Sequence, residues 1–302
     1  SSDYSKLPEL INFLIDECCG EGVNISLPSL RIDAFSLDVM SKVQDVRKSS
    51  LTFAPEAGSQ RLRDVINKGL TREDILQGAG MAFEGGWNKV KLYFMLGLPT
   101  ETYEDVLGIA ELGQKVIDES FFSIPPEERK GRSVSLTIST SFFVPKPFTP
   151  FQWERQDTME EYRRKTQLLK NAMPSKSVEY NWHDAKLSQL EAVLARGDRR
   201  LCRVLEAAVA RGVKLDGWDE YFRYDLWMQA FREVGVDPVF YTTRGYQEAE
   251  VLPWDTIDVG VSKAFLAKER AQAYAGQVTP DCRTQCSGCG ANTLLKGGCC
   301  DA

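Results

Sequence analysis

Three cysteines near the carboxyl end of the sequence have the spacing of metal ligands. Cys282, Cys286 and Cys289 follow the pattern C-x3-C-x2-C, and Cys299 and Cys300 come shortly after them. A disulfide-stapled secreted domain would spread its cysteines along its length, so this grouping favours metal ligation. With Cys299 or Cys300 as a fourth ligand, the thiolates suit zinc or an iron–sulfur cluster. A flexible, oxidisable tail is the alternative.

A carboxylate at the end of a predicted strand is the second feature suited to chemistry. The strand at 51–54 runs into Pro55, Glu56, Ala57 and Gly58. Glu56 can accept hydrogen bonds from hydroxyl groups or an amine of a ligand, or it can simply favour the positive end of the following helix. Gly58 and Gly97 either let the backbone approach a ligand closely or are ordinary turn glycines.

The basic residues leave more than one interpretation open. Arg31 and Asp33 follow the first predicted strand, where they face the site or form a surface pair. His183 is the one histidine, so the chain has no His-paired metal site, and a capping or surface role is predicted for it. A run of arginines could contact RNA phosphate, although a solvated helix face paired with Glu191 and Glu206 is favoured. These arginines are Arg196, Arg199, Arg200, Arg203 and Arg211.

The elements that must position these residues alternate between helix and strand in the first half of the chain. The hydrophobic pattern predicts a helix over 6–19 and strands near 23–27, 51–54, 90–94 and 134–138. Capping residues predict helix starts at Ser59, Thr71 and Thr102, and Gly69 is predicted to close the first of these helices. Repeated βα units of this length predict a parallel sheet. Beyond residue 154 the sequence predicts helices over 160–173, 183–196, 199–210, 221–234 and 261–273.

The overall composition is that of an ordinary globular protein. The chain has 302 residues, of which 43% are hydrophobic and 26% charged, with a net charge of −6. The negative total argues against a protein that coats nucleic acid. No apolar run is long enough to span a membrane, and the start has no signal-peptide pattern. A cytoplasmic protein without membrane contact is therefore predicted.

Three turn segments resemble the strand exits of radical S-adenosylmethionine (SAM) barrels. TFAPEAGSQRL at 52–62 resembles the segment after the fourth strand, MLGLPTET at 95–102 the fifth, and FFVPKPFTPFQW at 142–153 the sixth. They occur in the order and spacing of that family. RGDRR at 196–200 and LPWD at 252–255 resemble the C-terminal extension of radical SAM proteins that carry an N-terminal cobalamin-binding-like domain.

This resemblance implies a fold and a division of the chain. The fold is α/β, with a partial parallel radical SAM-type (β/α) barrel over 1–153, a mainly helical extension over 154–278 and a Cys-rich tail over 279–302. The family's own C-x3-C-x2-C motif should precede the matched segments and does not, so the chain is expected to be a fragment that is inactive alone. Use of the tail motif as a displaced SAM cluster is an alternative.

The resemblance also implies the activity and the site. The intact protein would be an enzyme that uses a [4Fe–4S] cluster, whose ligands lie outside this chain, to cleave SAM reductively for radical chemistry on an unknown substrate, with or without cobalamin. The alternative is a non-catalytic, metal-stapled module that binds RNA or a protein. The expected SAM-binding residues are Glu56, Gly58, Ser59, Gly97, Pro99 and Arg31, and the expected tail ligands are Cys282, Cys286, Cys289 and Cys299.

Overall fold

The computed structural model describes most of the chain. The described residues are 6–18, 51–129, 133–173, 176–282 and 284–291. The strand predicted near 23–27, Arg31, Cys299 and Cys300 lie outside these residues.

A four-stranded parallel sheet is the framework of the first half of the chain. Its strands are β1 (Leu51–Glu56), β2 (Lys89–Leu96), β3 (Ser135–Phe142) and β4 (Val178–Trp182), and they lie side by side in that order. β1 pairs with β2, and β3 with β4, in parallel register. The carboxyl ends of parallel strands meet at one edge, which is where the exit turns begin. The predicted parallel α/β sheet is thereby confirmed.

Helices precede and follow these strands. Those before β4 are α1 (Leu7–Cys18), α2 (Gln60–Val65), α3 (Arg72–Glu84), α4 (Tyr103–Ser123), α5 (Pro126–Arg129) and α6 (Met159–Ala172). Those after β4 are α7 (Ala185–Arg196), α8 (Leu201–Ala210), α9 (Tyr224–Val234) and α10 (Lys263–Tyr274), with a 3-10 turn at Pro238–Phe240. The helices predicted beyond residue 154 are all present, with shifted ends.

Local sequence signals account for the helix starts. Ser59 caps α2, and Thr71 and Thr102 form capping boxes with the third residue of α3 and α4, as predicted. One detail of the sequence interpretation is wrong: α2 ends at Val65, so Gly69 does not close it. Asp184 caps α7, and the adjacent His183 is exposed, in agreement with the surface role predicted for it. β4 was not predicted, because its alternation of Val178, Tyr180 and Trp182 with polar residues extends over only five residues, most of them exposed.

The two faces of the sheet differ in chemistry. Val90, Leu92 and Phe94 of β2 are buried on the face that carries the hydrophobic core. On β3 the same face packs on α4, since a Cβ at Gly113 would lie 2.7 Å from the side chain of Ile138. The residues between them on β2, among them Lys91, are half-exposed. The sheet therefore has one apolar face and one polar face.

Two compact units make up the described chain. The first contains the residues up to Leu96 together with Glu101–Ser141 and Lys165–Trp182. The second contains Gly97–Thr100, Phe142–Arg164 and the chain from His183 onward. Its core is formed by residues of α7, α8 and α9, including Val193, Val204, Trp227 and Phe231. Within the described residues, none of the helices combines the length and apolarity that a bilayer-crossing helix requires.

Candidate functional site

Glu56 ends β1 in a strained backbone conformation. Its φ is 66°, in the left-handed region that non-glycine residues rarely adopt, and the pairing of β1 with β2 is irregular between Phe53 and Glu56. The Glu56 carboxylate is partly exposed and receives an ion pair from Lys68, whose Nζ lies 3.1 Å from Oε1. Such strain costs about 1–3 kcal/mol and is typical of sites where a side chain must be aimed in a fixed direction.

Gly58 and Ser59 connect this turn to α4. A Cβ at Gly58 would lie 2.3 Å from the backbone nitrogen of Ile109, so the close packing of the turn on α4 requires glycine. The hydroxyl of Ser59 accepts from the backbone N–H of Leu62, which caps α2, and donates to Oδ1 of Asp105. Both residues thus have structural partners within the first unit.

Asp105 is the meeting point of two turns. It is buried, and its carboxylate accepts hydrogen bonds from Ser59, from Arg61 and from the backbone N–H and hydroxyl of Thr102, at 2.8 and 3.0 Å for the last two. Burial by itself raises the pKa of Asp105, but these hydrogen bonds outweigh it and hold the pKa below its ordinary value. Asp105 is therefore a carboxylate anion that links the turn after β1 to the start of α4.

Arg63 fixes the same turn from the other side. Its guanidinium is almost fully buried and donates to three backbone carbonyls: Ala57 at 2.9 Å, Gly58 at 3.3 Å and Leu70 at 3.0 Å. Burial lowers the pKa of Arg63. The contacts of Arg63 and Asp105 together leave the backbone beside Glu56 little freedom.

The segment after β2 belongs to the second unit. Gly97 has a φ of +89°, and a Cβ there would lie 3.0 Å from the carboxylate of Asp157, which explains the glycine. Pro99 is buried and Thr100, like Glu56, has a left-handed φ of 66°. Phe148, after β3, repeats this feature with a φ of 60°. Three strands are thus each followed by a strained non-glycine residue.

Most arginines of the run predicted as a possible RNA contact bind other residues of this chain. Arg196 is fully buried, donates to the carbonyls of Gln152 and Thr242 at 3.3 Å, and stacks on the ring of Tyr246. Burial lowers the pKa of Arg196 to about 10. A buried guanidinium is not available to phosphate, so it does not contribute to an RNA-binding face.

Two other arginines of the run form ion pairs that differ from the predicted ones. Arg200 pairs with Asp198 at 2.7 Å, and Arg211 pairs with Glu233. Glu191, predicted as a partner, pairs with Lys146 instead. These contacts support neither RNA binding nor the predicted pairing.

The tail is docked through its backbone. The carbonyl of Cys289 accepts from the N–H of Ser262, and Sγ of Cys289 accepts from the N–H of Ala291 at 3.4 Å. Gly290 has a φ of +98°, which turns the chain sharply after Cys289. Cys282 and Cys286 are exposed. In the part of the chain that the structure describes, no three cysteine, histidine or acidic side chains are gathered as a metal site.

Three features of the first unit did not follow from the sequence. Lys68 pairs with Glu56, Asp105 contacts Ser59 in addition to its predicted capping role with Thr102, and Lys91 lies on the polar face of the sheet. Lys91 left a signal, because it stands between the apolar residues Val90 and Leu92. The contact of Lys68 spans 12 residues and that of Asp105 with Ser59 spans 46, so no local pattern points to either.

The fold and the turns define an α/β protein built on parallel βα units, with its candidate site at the carboxyl ends of the strands. Residues 1–113 match the family model described as the radical SAM superfamily. An uncharacterized protein of Methanocaldococcus jannaschii is 34% identical over 204 residues, which are 68% of this chain. Residues 1–113 therefore match the radical SAM superfamily, which confirms the resemblance of the segments at 52–62 and 95–102.

Two further results of the comparisons concern how much of the known proteins this chain matches. This chain spans 41% of the length of the archaeal relative. Among solved structures, dihydrodipicolinate synthase from Oceanobacillus iheyensis aligns over 91% of both chains, at 11% identity and a TM-score of 0.25. So low a score carries no argument about fold or function.

Proposed function

We propose that this chain forms part of the SAM-binding barrel of a radical SAM enzyme. The observation that carries the proposal is Glu56, a partly exposed carboxylate with a strained backbone at the carboxyl end of a parallel strand, within the residues that match the superfamily. In the intact protein, a [4Fe–4S] cluster would supply the electron that cleaves SAM into methionine and a 5′-deoxyadenosyl radical.

The ligands of that cluster and the substrate belong to the same proposal. The sequence has no C-x3-C-x2-C motif ahead of β1, so we assign the cluster ligands to a segment outside this chain, which would then be inactive alone. A cobalamin-binding-like domain, as implied by the segments at 196–200 and 252–255, would belong to the same intact protein.

Glu56 is the proposed SAM ligand of the first unit. Its Oε1 is engaged by Lys68, so we assign Oε2 to a ribose hydroxyl or to the amine of SAM. Gly58 and Ser59 contribute by positioning the turn, since their own contacts are with α4 and Asp105. Gly97, Pro99 and Arg31 remain proposed members of the SAM site.

Substitution of Glu56 tests this assignment. In the full-length protein, Glu56→Ala should weaken SAM binding roughly ten- to hundredfold, because a hydrogen bond to a charged group contributes about 1.5–3 kcal/mol. The measurement is an anaerobic SAM titration of protein whose iron content equals that of wild type. Glu73→Ala, which removes an exposed carboxylate from α3, is the control and should bind SAM normally. Unchanged affinity in Glu56→Ala would leave Glu56 with only its ion pair to Lys68.

We infer further that the tail cysteines hold one metal centre, either zinc or an auxiliary iron–sulfur cluster. Cys286 and Cys289 have two residues between them and a sharp glycine turn after the second, which suits two ligands of one metal. The backbone N–H of Ala291 donates to Cys289 Sγ at 3.4 Å, which holds that sulfur in place beside the turn. Cys282 and Cys299 are the proposed further ligands.

A further inference from the structure

β2 carries a charged residue where the pattern of the sheet would allow an apolar one. Its buried residues alternate with Lys91, Tyr93 and Met95, which are half-exposed. β2 has a neighbour on each side in the sheet, so Lys91 is not at a sheet edge. Burying part of a lysine on an interior strand carries a desolvation cost, which a compensating partner must offset.

Hydroxyl-bearing residues lie on the same face of the neighbouring strands. Thr52 of β1 is in register with Lys91, so the two side chains project from the same face about 4.8 Å apart at the backbone. On β3, Leu136 and Ile138 contact α4 on the apolar face, which places Thr137 and Ser139 on the opposite one. We call the set Thr52, Lys91, Tyr93, Thr137 and Ser139 the polar face.

These side chains have few partners in the protein. Lys91 Nζ lies 4.6 Å from the centroid of the Tyr93 ring, and no ion pair joins it to a carboxylate among the described residues. By contrast, Lys68 pairs with Glu56 and Lys165 with Glu101 in the same unit, at 3.1 and 2.7 Å. In the described parts of the chain, the hydroxyls of the polar face likewise form no side-chain hydrogen bond.

The acidic residues near the polar face are not paired with Lys91. Glu56 is paired with Lys68, and Glu179 of β4, which is in register with Thr137, lies two strands away from Lys91 and accepts from Asn181 at 3.2 Å. Around Lys91 the polar face therefore presents one ammonium group and the hydroxyls of Thr52 and Thr137, with Ser139 buried behind them. A carboxylate or phosphate group would accept from both kinds of donor.

We propose that the polar face binds an anionic group, a carboxylate or phosphate, of the substrate, with Lys91 as its cationic anchor. Anion binding stands on the contacts of the first unit alone, whereas the identification of the anion as substrate rests on the proposed function. The carboxylate of SAM is the other source of the same chemistry. Thr52, opposite Lys91, precedes Glu56 by four residues, or roughly 13 Å of strand, which favours a separate molecule.

Anion titration of this chain tests the proposal. The probes are inorganic phosphate and succinate, measured by calorimetry at constant ionic strength. One of them should bind saturably at one site, with a dissociation constant on the order of 1 mM or tighter. Lys91→Met, which keeps most of the apolar stem and removes the charge, should weaken that binding at least tenfold, and Lys91→Arg should restore most of it. Lys89→Met, at the exposed start of the same strand, should bind like wild type.

The outcomes separate this proposal from the SAM assignment. Absence of saturable binding in wild type, equal binding in Lys91→Met, or equal loss in Lys89→Met would each overturn it. The melting temperatures of the variants show whether a loss of anion binding is caused by unfolding. If Lys91→Met is unfolded, Lys91→Gln is measured in its place. SAM affinity of the full-length Lys91→Met protein should match wild type. A tenfold loss of SAM affinity in Lys91→Met would assign Lys91 to SAM binding and overturn its role in substrate binding. Unchanged SAM affinity in Glu56→Ala would count against the SAM assignment of Glu56 but not against anion binding by the polar face.

Discussion

Asp105 shows how one side chain serves two turns. Its carboxylate completes the capping box of α4 with Thr102 and also accepts from Ser59 and Arg61, which belong to the turn after β1 and to α2. The capping box of α3, formed by Thr71 and Asp74, has the same local geometry, but it is exposed. Comparing Asp105 with Asp74 therefore separates the contribution of the contacts to Ser59 and Arg61 from the contribution of the helix cap.

Substitution of the two aspartates should separate these contributions. Asp74→Asn should lower the free energy of unfolding by about 0.5–1.5 kcal/mol, the worth of an ordinary hydrogen bond, and Asp105→Asn by about 1.5–3 kcal/mol. The pKa of Asp105 is lowered in the folded state, so its stabilisation is present above the ordinary carboxyl pKa and is lost as pH falls through the folded value. The excess loss in Asp105→Asn should therefore be seen at pH 7 and shrink below about pH 4.

Denaturant unfolding of both variants from pH 7 down to pH 3 makes this measurement. Equal losses in the two variants at pH 7 would mean that the contacts of Asp105 to Ser59 and Arg61 add nothing to the cap. A difference that does not change with pH would mean that the charge of Asp105 is not what stabilises the turn.

At the scale of elements, the tail depends on something other than hydrophobic burial. From Thr279 to Ala291 it contains no large apolar side chain, and its contacts are hydrogen bonds such as that of the Thr279 hydroxyl to Glu269 at 2.8 Å. Ordering each backbone residue costs about 1–2 kcal/mol. A structural zinc site contributes about 10–16 kcal/mol, enough to hold such a segment.

Removal of the tail thiols should therefore remove a metal. This chain, purified without oxygen, should carry one zinc ion or one iron–sulfur cluster, and the double variant Cys286→Ser, Cys289→Ser should carry none. Cys202→Ser, which changes an exposed cysteine on α8, is the matched control and should keep the metal. Elemental analysis distinguishes zinc from iron. Metal-free wild type, or a double variant with wild-type metal content, would contradict the metal centre.

At the scale of the whole molecule, the sequence predicts what local patterns determine. The capping residues Ser59, Thr71 and Thr102 and the apolar alternation of β2 depend on neighbours a few residues away, and all were predicted correctly. β4 was not predicted because its alternating pattern covers only five residues, too short a signal to distinguish a strand. Its partner β3 lies about 40 residues earlier, as in the pair Ile138 and Tyr180.

The candidate site likewise combines features that the local sequence predicts with contacts between residues distant in sequence. Glu56 was identified from its place after a strand, but its ion pair with Lys68 spans 12 residues and the Ser59–Asp105 hydrogen bond spans 46. Arg196 was expected on the surface, and only the packing of the second unit reveals that it is buried. Charge and turn chemistry can be read locally, whereas burial and pairing depend on the tertiary fold.

Reductive cleavage of SAM by the full-length protein is the most direct test of the account. Protein purified without oxygen and reduced with dithionite should convert SAM into methionine and 5′-deoxyadenosine, measured together by mass spectrometry. Both products should form in equal amounts and only in the presence of reductant. At SAM concentrations below saturation, Glu56→Ala should form at least tenfold less of each. A preparation with a full complement of [4Fe–4S] cluster that forms no 5′-deoxyadenosine would contradict it.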